Sequence, residues 1–322
     1  MAEAAAPCFL RRIRADASNT RTGEGMKNKA LLVFVAVAGV SVSGPMVKWS
    51  LACGASPVMI AFGRMMISAL LLLAPALRSG ELQAVLRAPK RQLMLACAAG
   101  LLLALHYTAW MTSLSFASTF VSTALVCTQP LFVAALSGIL LHEPIKREAI
   151  PGAVVAIIGA ALIALLSMTG EQGSLLGDVL ALAGAVLMAG HWLCGRAARR
   201  NLPALGYMTL VYLVTAGCLL GISPLLGGFQ VTRASLGGIL VLALVCTLGG
   251  HALMIYLLGY VSADVVSFAL LGEPIGAAIW ALVLFGEPVT LPLLIGGMTV
   301  ISGLAMYTLG EMKAAKREDR CN

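Results

Sequence analysis

Charge is what this sequence has least of. Of its 322 residues only 11% are Asp, Glu, Lys or Arg, against 60% that are hydrophobic, and the mean hydropathy is +0.94. So few polar side chains cannot clothe a soluble globule of this length, which leaves an integral membrane protein. Missing motifs narrow the class further. There is no glycine-rich phosphate loop ending in Lys-Ser/Thr, so the chain does not hydrolyse ATP by itself. Neither a His-Glu-x-x-His helix nor a Gly-x-Ser-x-Gly elbow occurs, and no nucleophile or acid/base cluster gathers at one face, which argues against a membrane-embedded enzyme. The eight cysteines, Cys8, Cys53, Cys97, Cys127, Cys194, Cys218, Cys246 and Cys321, show no close pairing. Most fall in or near apolar runs, where a thiol behaves as a small apolar group, so no disulfide framework, metal site or other cofactor is expected. Met1 to Gly25 is basic but has no apolar core, so it is not a secretory signal peptide, and Met26 would itself serve as a start.

What the chain does have is long apolar runs. Spanning helices are expected at about 30–47, 57–77, 93–113, 117–141 and 150–168, and again at 175–193, 205–226, 236–258, 261–285 and 291–309. Each is roughly 17 to 25 residues, enough to cross about 30 Å of hydrocarbon at about 1.5 Å per residue. Barrel strands would alternate in and out, and these runs do not. The layout is therefore all-α, with a basic tail over residues 1–29 read as disordered, helical halves over 30–168 and 175–309, and a short charged tail over 310–322 read as solvated.

With the N-terminus inside, every Lys and Arg except Lys48, Arg64 and Arg233 falls on the cytoplasmic side. That asymmetry predicts ten helices in the cytoplasmic (inner, plasma) membrane with both termini in the cytoplasm. The sequence pI of about 9.2 thus reports topology and gives no reason to invoke nucleic acid. An odd number of helices per half also means that the second half enters the bilayer upside down relative to the first.

The ninth run carries two residues that hydrocarbon tolerates badly, Glu273 and Pro274, side by side near its centre. Pro274 frees the carbonyl of Leu270, and an ionisable group at that depth is costly unless it faces a protein interior or a wet cavity. The pair reads as the wall of a polar pocket. The same design occurs earlier in the chain. At one fixed offset, Thr128-Gln129-Pro130 lies under Gly272-Glu273-Pro274 and Glu143-Pro144 lies under Glu287-Pro288. At a closely similar offset Gly44 lies under Gly190 and Pro57 under Pro203, so the chain reads as a duplicated unit.

These residues resemble the drug/metabolite transporter superfamily, and within it the EamA-like ten-helix proteins. The resemblance covers nearly all of the chain after Met26. It is carried by Ser43-Gly44-Pro45-Met46-Val47-Lys48, by Pro57 with Ala61-Phe62-Gly63-Arg64, and by Leu140-Leu141-His142-Glu143-Pro144. It continues through Gly152 and Gly159, Gly272-Glu273-Pro274, Leu284-Phe285-Gly286-Glu287-Pro288, Gly296-Gly297 and Gly303. Where the first half would have Gly-Glu, this chain has His142-Glu143. The resemblance implies two inverted five-helix repeats with a substrate cavity near the midplane between them. It implies a secondary-active transporter of small organic metabolites or drugs, read as an exporter working by alternating access. A non-transporting accessory or sensor protein is the alternative.

Candidate solute or coupling residues follow from the same pattern. Glu273 is the candidate for solute contact or proton coupling, or else for quieting its own kinked helix, and Gln129 is its neutral counterpart beside Pro130. Arg64, about two turns into its helix, could meet an anion, pair with an acid or snorkel to the surface. His106, Tyr107 and Trp110 place a titratable ring and aromatics at helical spacing, which suits a flat solute or simply core packing. His191 and Trp192 repeat that signal more weakly. Lys48 reads as an interface anchor, and Glu143 and Glu287 as structural carboxylates near helix N-termini. Gly152, Gly159, Gly296, Gly297 and Gly303 suit close helix packing or a homodimer face.

Overall fold

The computed structural model describes residues 32, 34–141, 146–168, 174–199, 201–226, 228, 230–253 and 272–321. The expected roles of Glu143-Pro144 and of the Leu270 carbonyl fall outside these residues, as does the tail over 1–29. All regular structure among the described residues is helical. The first half consists of α1 (Ser43–Ala52), α2 (Pro57–Arg78), the short α3 (Glu81–Leu86), α4 (Lys90–Ser113), α5 (Thr119–Val126), α6 (Gln129–Leu141) and α7 (Ile150–Met168). The second half consists of α8 (Leu175–Arg199), α9 (Ala204–Ile222), α10 (Arg233–Val241), α11 (Glu273–Phe285) and α12 (Leu291–Cys321).

Local chemistry sets several of these boundaries. α2 starts where Ser56 accepts from the Met59 amide at 3.3 Å and Pro57 fills a first-turn position that needs no N–H. Ser118 caps α5 in the same way through Val121 N at 3.2 Å. The run expected as one helix over 117–141 is broken in two at Cys127 and Thr128, where the Thr128 hydroxyl donates to Leu125 O at 2.6 Å. Its lower piece, α6, begins on Gln129 and is 13 residues long; α11 begins on Glu273 and is also 13 residues long. The proline-linked design found in both halves of the sequence thus gives equal elements at equal offset. α10 passes into an 11-residue π-helical stretch, Leu242–Ala252, a geometry that widens the helix and is associated with functional positions. α12 continues to Cys321, so the described residues of the presumed solvated tail prolong a helix.

Seven of the helical stretches are long and apolar enough to cross a membrane; Thr119–Val133, Ile150–Leu162 and Glu273–Phe285 are apolar but shorter over the described residues. The expected ten spans need those three as well. Large apolar side chains such as Phe34, Met94, Ile157 and Val283 stand outward and largely exposed. That surface suits hydrocarbon and would be an aggregation hazard in water.

The helices pair in a definite order: α8 lies along α4, α12 along α7, α9 against α2 and α4, α11 against α5 and α10 against α1. The α7–α12 contact is nearly backbone on backbone. A Cβ added at Gly152 would strike the Tyr307 backbone, one at Gly159 the Val300 backbone, and one at Gly303 the backbone of Ala156. These glycines therefore serve packing within the chain rather than a dimer face. Loops make reciprocal contacts across the halves. Glu81, after α2, accepts from the Leu205 and Gly206 amides at the start of α9 at 2.9 and 3.2 Å. The segment after α9 reaches back to the start of α2, where Ser56 N donates to Gln230 O at 3.0 Å and Ser56 Oγ to Gly228 O at 3.1 Å.

Candidate functional site

Arg64 is fully enclosed: 0% of the side chain is exposed. It therefore does not snorkel, and the surface reading of this residue is corrected. Its Nε donates to Thr247 Oγ1 at 2.7 Å and its Nη1 to Ser43 Oγ at 3.4 Å. Its guanidinium sits 4.8 Å above the Tyr107 ring, a cation–π contact worth about 2 kcal/mol when desolvated. Three elements besides its own helix α2, namely α1, α4 and the π-helical stretch, thus contribute to its surroundings. The π geometry matters here, because the Thr247 hydroxyl donates to Leu242 O at 2.9 Å, five residues back, while accepting from the guanidinium. Nη2 is buried with no hydrogen-bond partner among the described residues.

Tyr107 continues the cluster along α4. His106 lies 5.0 Å from it, centroid to centroid, and stacks on Trp110 at 6.0 Å with planes 13° apart. All three rings are buried, and the Trp110 indole N–H is a second buried donor without a partner. His106 Nδ1 is 2.8 Å from Gly184 O on α8, and His191 Nδ1, on α8, is 2.9 Å from Ala99 O on α4. Because a carbonyl only accepts, both bonds require the proton on Nδ1, leaving each Nε2 as the second nitrogen. The two histidines clip α4 and α8 together from opposite sides. Trp192 packs edge-on to His191 with centroids 5.4 Å apart and belongs to that clip rather than to the Arg64 cluster.

Glu273 begins α11, partly buried, and lies within the electrostatic reach of Arg64. Tyr107, Cys127 and Cys246 lie within the same electrostatic reach of Glu273. Cys127 is in the α5–α6 break and α11 packs against α5, so the two proline-linked breaks come near each other. No direct ion pair joins Arg64 and Glu273 among the described residues. Gln129 and Pro130 are half-buried at the start of α6, and Pro274 is buried in the first turn of α11. Thr247 and Ser43 escaped notice as site residues in the sequence, where a hydroxyl inside an apolar run carries no mark of its partner.

A second polar group lies near the α1–α2 turn. Glu287 Oε2 is 2.9 Å from Lys48 Nζ and accepts from Thr119 Oγ1 at 2.9 Å, while its Oε1 accepts from Thr119 N at 2.8 Å. Lys48 is thus an ion-pair partner as well as a helix end. Glu287 does meet a helix N-terminus, but it is that of α5. Two open cavities flank the pair, of about 620 Å³ and about 310 Å³, and Lys48, Leu114 and Ser115 line both.

The EamA-like transporter family matches residues 27–165 and 175–309. The chain belongs to this family. As an EamA-like protein it is 28% identical over 201 residues to a "Probable amino-acid metabolite efflux pump" of Salmonella typhimurium strain LT2. That match takes in 56% of this chain and 64% of the relative's length, so the chain spans less than two thirds of it. A solved structure described only as "Crystal structure of protein" superposes with a TM-score of 0.61 at 18% identity, covering 88% of this EamA-like chain and 97% of the other. At that identity the likeness is one of fold.

Proposed function

We propose that the protein is a secondary-active transporter that exports small organic metabolites across the cytoplasmic membrane by alternating access. Its two halves would be inverted five-helix repeats, ten spans in all, with both ends in the cytoplasm. The observation that carries this reading is the enclosed cluster of Arg64, Tyr107, His106 and Trp110, with Glu273 in its field where the two helix breaks approach. Charged and polar groups at that depth are expensive and mark a solute or ion path. The pairing order supports the inversion. Under an exchange of halves, α9–α2 and α12–α7 map onto themselves, while α8–α4 maps onto α10–α1. The reciprocal loop contacts of Glu81 and Ser56 obey the same exchange.

In this conformation Arg64 is sealed from both sides and the described cavities lie around Lys48, so access requires the halves to rock. Glu273 is the group proposed to couple a proton to that motion. The test is counterflow in proteoliposomes containing the purified protein, with a panel of labelled metabolites and an imposed pH gradient. Solute-specific exchange supports transport. Complete lack of flux from a folded, correctly inserted protein removes it.

A further inference from the structure

On the reading that the chain moves a solute, we propose that the solute carries a carboxylate and that Arg64 receives that group, with Trp110, one turn along α4 from the Tyr107 ring under the guanidinium, as a second donor. Two buried donors, Arg64 Nη2 and Trp110 Nε1, have no acceptor among the described residues. A guanidinium kept only to hold helices together would be expected to spend its N–H groups on the helices around it. Here Nε and Nη1 are spent on Thr247 and Ser43, and the Tyr107 ring supports the plane from one side. Nη2 is left with nothing among the described residues, although no part of the side chain is exposed. The second unserved donor, Trp110 Nε1, lies on the same face of α4, one turn from Tyr107 and stacked on His106. Buried donors without partners are rare because their desolvation goes uncompensated, and a ligand that accepts from them removes that deficit.

The charge balance selects the class of anion. Arg64 is the cation of this cluster, and Glu273 opposes it within electrostatic reach. That single positive charge balances one negative charge, so with Glu273 protonated the cluster suits a singly charged acceptor. A dianion such as a phosphate monoester would leave net negative charge in a desolvated interior. The flat rings of Tyr107, His106 and Trp110 add apolar contact for the remainder of the solute. A structural guanidinium would show no preference between solutes that differ only at this group.

The experiment uses the wild-type protein in proteoliposomes and compares matched solutes: free amino acids and 2-keto acids, the corresponding carboxamides, and the decarboxylated amines. Counterflow and ligand-induced rise in melting temperature are both read. Acids are expected to exchange at least about tenfold faster than their amides or amines, because a site built to bond a group rejects analogues lacking it. Trp110→Phe keeps the ring and is expected to narrow that preference several-fold, while Arg64→Lys abolishes it without abolishing insertion. Equal handling of acids, amides and amines by wild type overturns the carboxylate assignment and leaves transport standing. No exchange of any solute overturns the transport reading and this assignment together. Because the wild-type comparison decides the matter, misfolding of an Arg64 variant does not rescue the proposal.

Discussion

Lys48 and Glu287, 239 positions apart in the chain, meet at 2.9 Å, and the same carboxylate holds both the amide and the hydroxyl of Thr119. One side chain thereby joins the end of α1, the start of α5 and the turn after α11. Glu287→Ala should remove an ion pair and a helix cap together. Caps are worth about 1 kcal/mol, and an ion pair this accessible adds less than about 1 kcal/mol. A lowered melting temperature in detergent is expected, with Lys48→Ala and Glu287→Ala showing less than additive loss in a double-mutant cycle. Full additivity would mean that the pair contributes nothing.

Glu273→Gln keeps the size and most hydrogen-bonding capacity of the side chain but cannot give up a proton. Membrane insertion and melting temperature should stay near wild type, while counterflow loses its dependence on pH or stops. Full uptake that still responds to a pH gradient removes Glu273 from the coupling step.

Thr247→Val is close to isosteric and withdraws the acceptor for Arg64 Nε. A buried charged donor left unpaired costs about 1–3 kcal/mol or more, so the variant should melt lower than wild type. Thr247→Ser restores the hydroxyl and should recover most of the loss. Equal stability of Val and Ser variants would show that the bond at 2.7 Å is dispensable.

Gly303→Leu drives a side chain into the backbone of Ala156. Overpacking of this kind costs about 1–3 kcal/mol, and more where backbone must move. The same change at Gly217, where a Cβ would meet nothing within 4 Å, is the control. The Gly303 variant should lose thermal stability and the Gly217 variant should not.

Period, apolarity and proline placement made much of the fold legible. The runs over 57–77 and 150–168 sit where α2 and α7 are found, and Pro130 and Pro274 marked the starts of α6 and α11. The glycines of α7 and α12 were readable as a close seam, since no other residue permits such an approach. Partners distant in sequence were not legible. Arg64 looks able to snorkel when counted along its own helix, and its enclosure involves Ser43, Thr247 and Tyr107, each from a different element. Glu287 beside Pro288 promised a structural carboxylate but not which helix it would serve. The π-helical stretch has no plain signature either, because Leu242–Ala252 is as apolar as its neighbours.

Because α7 and α12 touch through main chain rather than through long side chains, the union of the two halves depends little on the linker between Met168 and Ser174. Two separately translated polypeptides, cut there, would be expected to find each other in the bilayer. In such a split protein the tether becomes optional and the suture along Gly152, Gly159 and Gly303 becomes the assembly code.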